Sequence, residues 1–506
     1  MEIGYASKLY AGIPGPTPIQ DEILLESVHY LAVRPNGNNG LVYEQGKSGA
    51  QKILNYAKVY RPIDLVRKVL SRQKIERIRN DKWLVCGIGK DVNNAYHCFV
   101  HPSAQYFQSQ LAVPACWTKR VEHKGDEQLW GQLPTGKESI DLLEEIAEMM
   151  PPISGAKYSE DLVDLNPIIG FLAELRKGMS PVSTVFPDRE EIAPTDSQPS
   201  NGQIGAVLFG YGNYARTITL PFLKPFVHLH KIHEIDSSLL IEAGGLPKST
   251  NPKADKEDAK YPVWLIAGFH HTHAGLAIDA LKAGAIPVIE KPIATNLEDF
   301  EAFKKTATET GSPFFQCFQK RYQVFNSYTF EDLEVTKGDP IHYKATVFEI
   351  PLHKQHWYNW PVSGSRIISN GCHWIDQFLF LNNYVPFTKF ETKRLNDQEL
   401  LLLIELENGA NAVITLSDIG PNRIGMREYV ELSVPDRRVT IIDSMKYSSE
   451  SSVKTIRTKN TDKLHYLRLM YQEIGYKIKM GEQGDSIQSL LSTELAIKME
   501  EQFQSL

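Results

Sequence analysis

The sequence predicts an α/β protein built on a parallel, doubly wound sheet, and three stretches carry that expectation. Ile204 to Phe209 is a short apolar run that turns through Gly210-Tyr211-Gly212-Asn213-Tyr214-Ala215 into a helix-compatible segment reaching Leu220. Tyr261 to Phe269 is another apolar run, closed by His270-His271-Thr272-His273 and followed by a helical stretch from Ala274 to Ala283. Gly284 stops that helix, and Ile286 to Ile289 then leads straight into Glu290-Lys291-Pro292. Short apolar runs that alternate with helical stretches are the pattern of strand-helix-strand units in a buried parallel sheet.

The first unit reads as strand, glycine turn and helix. Gly210 allows a tight turn, Gly212 lets the backbone approach a pyrophosphate, and Ala215 takes the third small position, where the helix packs closely on the strand. Asn213 and Tyr214 lie at the helix start, whose free N–H groups and dipole favour an anion. The second strand of such a unit is expected over Leu229 to Asp236. Glu234 or Asp236 at its end would accept hydrogen bonds from ribose hydroxyls and repel a 2′-phosphate, which favours NAD, with NADP as the alternative because Lys231 is close by. The polar, Lys-rich stretch from Glu242 to Lys260 stands where a further strand-helix unit would lie, so an abbreviated nucleotide fold is expected.

The His270-His271-Thr272-His273 turn invites a metal reading, but no Cys, Asp or Glu completes a ligand spacing nearby, and no metal is expected. His270 and His273 are expected to line the nicotinamide pocket instead. Glu290-Lys291-Pro292 ends a strand, which places Lys291 at the carboxyl edge of the sheet, where ligands bind in open α/β folds. Apolar neighbours there would lower its pKa toward a value useful for proton transfer. Thr295 with Glu298 reads as a capping box that opens the next helix.

Further on, Ser363 to Asp376 reads S-G-S-R-I-I-S-N-G-C-H-W-I-D. On a helix, His373, Asp376 and Gln377 share one face, while Trp374 with Phe378 and Ile375 with Leu379 form an apolar side. A lone histidine in such a helix is often hydrogen-bonded in the core, and spacing alone leaves that reading open.

G-Y-G-N-Y-A, the strand ending A-G-F-H-H-T-H, the E-K-P at Glu290 to Pro292 and Q-C-F-Q-K-R-Y at Gln316 to Tyr322 together resemble the glucose-fructose oxidoreductase, inositol dehydrogenase and MocA family. The resemblance implies a Rossmann nucleotide-binding domain with NAD or NADP as redox partner. It also implies a following α/β domain whose mainly antiparallel sheet carries the substrate site. It gives Lys291 a role in cofactor binding, substrate binding and proton transfer, and makes His373 the second acid-base residue, since an imidazole changes charge near neutral pH. Arg366, Ser369, Asn370 and Asp376 would orient the substrate, with Trp357, Tyr358 and Trp360 as an aromatic wall. Many family members have an aspartate four residues before that histidine, where this chain has Ser369. The run from Arg366 to His373 is closest to the oxidoreductase half of two-part proteins among envelope polysaccharide enzymes, which carry a glutamate where Asn370 stands. The loss of both carboxylates leaves the proton chemistry to Lys291 and His373 and raises the prospect of a silent site.

The chain has 506 residues, 42% of them hydrophobic and 23% charged, which suits a folded protein of two or three domains. A net charge of -6 gives no sign of nucleic-acid affinity. There is no long apolar span and no signal-peptide pattern, so a cytoplasmic location without membrane attachment is expected. Cys86, Cys98, Cys116, Cys317 and Cys372 are scattered without C-x-x-C pairs, as reduced thiols would be. The polar run Pro194 to Gly202 marks a boundary ahead of the Rossmann strand. The expected organisation is an accessory domain over 1–125, faintly similar to a GroES-like piece, a helical segment and linker over 126–202, the nucleotide domain over 203–325 and the substrate and oligomerisation domain over 326–506. Gly87-Ile88-Gly89 imitates a second cofactor loop and is set aside.

The resulting expectation is an NAD(P)-dependent enzyme that moves a hydride to or from a carbinol or ketone of a small molecule, a sugar or nucleotide sugar above all, in biosynthesis. The alternatives are a C=N or conjugated-bond reductase and a silent cofactor-binding scaffold. Family habit implies a homo-oligomer, and the N-terminal domain could hold a protein partner.

Overall fold

The computed structural model describes residues 3–4, 22–33, 56–66, 84–91, 96–100, 120–123, 202–234, 246–249, 253–351, 358, 363–420 and 425–505. Asp236, Trp357, Trp360 and nearly all of the 126–202 segment lie outside them. In the N-terminal region the strands β1 (Ile3–Gly4), β2 (Glu22–Val33), β3 (Leu84–Asp91), β4 (Tyr96–Val100) and β5 (Arg120–His123) form one five-stranded mixed sheet. Gly87-Ile88-Gly89 lies inside β3 and is paired on both sides, so it is no cofactor loop. Residues 62–66 are helical and dock against the far end of the chain: Asp64 accepts from Arg468 at 2.9 Å and Arg61 reaches Asp462 at 3.0 Å.

The nucleotide domain holds six strands, β6 (Ile204–Phe209), β7 (Val227–His233), β8 (Lys248–Ser249), β9 (Val263–Ile266), β10 (Ile286–Ile289) and β11 (Phe315–Gln316), and every pairing among them is parallel. Their order, β11-β10-β9-β6-β7-β8, is that of the doubly wound dinucleotide fold. The expected abbreviation is seen in the unit between β7 and β9: all six strands are present, but β8 is only two residues long and the described residues before β9 hold just a five-residue 3-10 helix, Lys256–Lys260. β11 is equally short, and strands of two residues are too short for hydrophobic patterning to reveal.

Helix α1 (His273–Lys282) follows β9, and α2 (Leu297–Thr310) follows β10. The cap of α2 falls one residue later than the sequence suggests. Asn296, in extended backbone, accepts the Asp299 N–H at 2.9 Å, so the Thr295–Glu298 box is not the one used.

The strands of this sheet are buried on both faces. Ala206, Leu208, Val263 and Leu265 belong to one apolar cluster, and Val207, Phe209, Trp264 and Ile266 belong to another. The first face is covered in part by Leu467, Met470, Tyr471 and Ile474 of a helix from the end of the chain, His465–Met480. The second is continuous with the core of the following domain.

After helix α3 (Phe325–Leu333) the chain builds an eight-stranded sheet from β12 (His342–Phe348), β13 (Phe387–Asn396), β14 (Glu399–Leu406), β15 (Asn411–Ser417), β16 (Arg427–Val434), β17 (Arg437–Ile442), β18 (Lys446–Ser451) and β19 (Thr455–Asn460). Only the β12–β15 pairing is parallel, so the expected mainly antiparallel sheet is present. Alternate residues of β14 and β15, such as Leu402, Ile414 and Leu416, point into the core. Helices α4 (Cys372–Leu381), α5 (His465–Met480) and α6 (Leu491–Gln504) complete the fold.

Helix α4 departs from the amphipathic reading, because every residue from Cys372 to Leu379 is buried. Its polar side faces a network inside the protein. Gln377 accepts from the Tyr343 hydroxyl at 2.9 Å, and Asp376 receives Arg321 Nε at 3.1 and 3.0 Å and Arg321 Nη2 at 2.6 Å. Arg321 lies in the Gln319–Tyr322 turn that follows β11, so this buried ion pair ties the nucleotide domain to α4. Asp376→Ala strands a guanidinium in the interior and should lower stability by about 3–5 kcal/mol. The check is the urea midpoint, with the slope of the transition unchanged.

Candidate active site

The glycine turn is shaped by what a side chain would meet. Gly210 has φ +97°, and a Cβ there would lie 2.5 Å from the backbone of Ala267 and Gly268 at the end of β9, so only glycine fits. At Gly212 a Cβ would meet nothing within 4 Å among the described residues, which suits the approach of a diphosphate. Ala215 is buried against the sheet, in a π turn (Ala215–Thr219) that runs into a short helix, Leu220–Leu223. Glu234 follows β7, and its carboxylate accepts the Tyr211 N–H at 2.6 Å, joining the end of the second strand to the turn. The Asn213 carbonyl accepts the Thr217 hydroxyl, and the Tyr214 ring is partly exposed. These residues fit a dinucleotide. Lys231 ion-pairs with Asp255 and, at 2.9 Å, with Asp258, so its charge is already matched by carboxylates.

The histidine turn serves position more than ligation. His273 donates from Nδ1 to the Pro292 carbonyl at 2.7 Å and sets Nε2 3.2 Å from the Gly268 carbonyl, clamping the E-K-P turn to the turn after β9. His270 places Nδ1 3.3 Å from the Ser363 carbonyl and packs on the Tyr358 ring, with centroids 4.9 Å apart. Among the described residues one group has metal-ligand reach, His233 with Asp255 and Asp258. The Lys231 ammonium already bridges its two carboxylates.

Glu290 and Lys291 leave β10 in opposite environments. Glu290 is buried and accepts the Tyr471 hydroxyl, which also contacts Thr219 Oγ1 at 2.9 Å. Burial pushes its carboxyl up to about 7, against the opposing pull of Tyr471 and Lys291. Lys291 donates to the Ser369 carbonyl and stands 5.8 Å over the Tyr358 ring. Here the expected lowered pKa is overturned. Burial does pull it down, but Tyr358, Cys372, Glu290 and Glu349 around it outweigh burial, and the net shift is upward. Lys291 is therefore an ammonium, a proton donor.

His373 is buried, and the Gln319 amide N–H donates to its Nε2 at 3.2 Å, which leaves the proton of the neutral ring on Nδ1. That Nδ1 has no hydrogen-bond partner among the described residues. Burial, with the charges of Lys291, Lys320 and His270 beside it, holds the imidazole well below its usual range. His270 is depressed in the same way, by burial and then by Lys291 and His273. Lys291 thus acts on both imidazoles, one from each domain.

Beside them opens a cavity of about 490 Å³ whose walls include Tyr358, Arg366, Ser369 and Asn370. Arg366 reaches Glu349 at 3.3 Å and Asp418 at 2.9 Å, so it is held by carboxylates. Neither Lys291 nor His373 is on the cavity wall; Lys291 reaches it through the Ser369 carbonyl, and Asp376 is committed to Arg321. The sequence reading missed Glu349, Gln319 and Tyr471. A signal for Glu349 existed: Tyr343, Ala345 and Val347 alternate inward along β12, and Glu349 continues that parity as a buried charge.

Residues 204–318 match the family model described as "Oxidoreductase family, NAD-binding Rossmann fold" (GFO_IDH_MocA). The resemblance to the glucose-fructose oxidoreductase, inositol dehydrogenase and MocA family therefore holds at the level of the family, and NAD is the cofactor of the family matched. No curated protein matches this chain in sequence. Among solved structures, a protein from Desulfitobacterium hafniense inferred to be an NADPH-dependent oxidoreductase superposes with a TM-score of 0.50 at 14% identity, over 60% of this chain and 97% of that one. The UDP-N-acetylglucosamine 3-dehydrogenase of Acidithiobacillus ferrooxidans gives a TM-score of 0.49 at 15% identity, over 59% and 97%. An Agrobacterium radiobacter oxidoreductase in complex with NAD+, L-tartaric acid and magnesium gives 0.48 at 15%, over 58% and 94%. At 14% identity the likeness to the Desulfitobacterium hafniense protein is one of fold alone.

The Glu290 shift has a measurable consequence. Its folded value of about 7 lies above its ordinary 4.5, so between those values the folded protein binds more protons than the unfolded chain. Stability from this group falls as pH rises through that window. Glu290→Gln should gain on the wild type across the same window, by about 3 kcal/mol at its top. Urea midpoints taken at several pH values check this.

Proposed function

We propose that this protein is an NAD(P)-dependent oxidoreductase acting between the carbinol and ketone of a sugar or nucleotide sugar. The observation that supports it most is the Lys291 ammonium. It comes from the carboxyl end of β10 and is hydrogen-bonded to the Ser369 carbonyl in the wall of a cavity formed by the second domain. A proton donor and a cofactor turn thus belong to one sheet edge, and the substrate walls to the other domain.

Gly210, Gly212 and Ala215 would hold the diphosphate, with Glu234 on the ribose side. The dominance of carboxylates around Lys231 favours NAD over NADP. Bound there, the nicotinamide supplies or takes the hydride. Lys291 holds a proton at Nζ for the substrate oxygen, while His373, kept neutral and buried behind the cavity wall, serves as a positioning residue and not as a donor to the substrate. The cavity mixes Ser369, Asn370, Asn396 and Gln504 with the rings of Tyr358 and Phe503, as a hydroxyl-rich ring requires. A donor-only lysine also suits reduction of a C=N bond, which needs a proton and no base.

Fluorescence titration with NADH, followed by a panel of sugars, nucleotide sugars and cyclic imines, tests the assignment. NADH should bind the wild type, and Gly210→Ala should abolish that binding through its clash with Ala267. Lys291→Ala should cost on the order of a hundredfold or more in turnover while NADH still binds. Wild-type protein that fails to bind NADH would remove the redox reading. Binding without turnover across the panel would favour a cofactor-holding scaffold.

A further inference from the structure

We propose that Glu349 is the carboxylate that takes the substrate's hydroxyl proton in this site, the counterpart of the Lys291 ammonium. The inference rests on the oxidoreductase reading above. Glu349 directly follows β12, is only 5% exposed and still lines the cavity. Its Oε1 accepts the Asn370 amide N–H at 2.6 Å. Its Oε2 takes no hydrogen bond among the described residues and has Arg366 Nε 3.3 Å away as an ion-pair partner. That guanidinium is divided, since it also donates to Asp418 at 2.9 Å and to the Gln398 carbonyl at 2.7 Å. Glu349 is therefore fixed in direction without being saturated.

Asn370, which holds Glu349, adjoins Ser369, whose carbonyl holds Lys291, so the carboxylate and the ammonium are anchored on consecutive residues of one turn. The groups facing Glu349 are Arg366, Asn370, Lys291 and Asp418. Burial raises its pKa, and the first three oppose that without reversing it. Neither Lys291, already an ammonium, nor His373, whose Nε2 is occupied by Gln319, is placed to accept a proton. Asp418 also lines the cavity, yet it is not among the principal charges acting on Lys291.

In the oxidative direction the substrate O–H bond breaks and its proton passes to the Glu349 carboxylate, giving a neutral carboxyl. The C–H electron pair departs as hydride to the oxidised nicotinamide, and the C=O bond forms. In reduction Glu349 returns the same proton, while the Lys291 ammonium keeps its own and hydrogen-bonds the substrate oxygen in both directions. The missing carboxylates at 369 and 370 are thereby made good from a neighbouring strand.

Infrared difference spectra of the NAD+-loaded protein, recorded as pH is lowered, read the protonation directly. Comparing the wild type with Glu349→Gln cancels the other buried carboxyls, including Glu290. A carboxyl C=O band should be present in the wild type, absent in Glu349→Gln and retained in Asp418→Asn, with NADH affinity little changed in either variant. For a compound turned over in the panel, Glu349→Gln should lower kcat on the order of a hundredfold, leave KM less affected and erase the acid limb of the pH profile, while Glu349→Asp partly restores it. A band that survives in Glu349→Gln, or one that vanishes in Asp418→Asn instead, would overturn the assignment. So would a change in KM alone. An unproductive panel would count against the oxidoreductase reading, whereas the infrared result decides the state of Glu349 independently.

Discussion

The hydrogen bond from the Lys291 ammonium to the Ser369 carbonyl sets the geometry on which the site depends. It can form only because β10 ends where it does and because the turn after it is gripped from several sides. His273 binds the Pro292 carbonyl, Tyr471 binds Glu290 from the final third of the chain, and the Arg321–Asp376 pair fixes α4 against the nucleotide domain. A lysine side chain is long and mobile, and such anchoring gives its charge a defined address.

Charge is distributed here with a clear division. Away from the cavity, buried ions are matched: Lys320 with Glu428, Arg321 with Asp376, and Lys231 with Asp258. Removing one partner of such a pair is far more costly than the pair is favourable, so these contacts specify the packing more than they stabilise it. Around Lys291 the arrangement differs. Two imidazoles are held neutral by burial and by the lysine itself, and the compensating carboxylates, Glu290 and Glu349, are both raised in pKa by burial. A cluster of groups poised to exchange protons is the expected signature of a working site.

The nucleotide domain was legible in the sequence because its signals are local. The limits of β6 and β10 follow from apolar runs, and Gly210 from the turn they require. The cap of α2 slipped by one residue because Thr295 and Asn296 are both competent caps and only backbone geometry chooses between them. Helix α4 read as amphipathic because polar side chains on one face look alike whether water or a buried partner lies opposite, and Arg321 is far away along the chain. Lys291 read as an amine of lowered pKa because its apolar neighbours in sequence were visible and the groups that act on it through space were not.

The sequence by itself determined the order of elements, the cofactor turn and the identity of the E-K-P lysine, since each is a property of consecutive residues and of their periodicity. Tertiary structure alone decided that Lys291 is a donor, that Asp376 belongs to an ion pair, and that a carboxylate lines the cavity from β12. Charge state, burial and convergence depend on partners brought together from distant segments, and Coulomb interactions act across space without regard to position in the chain.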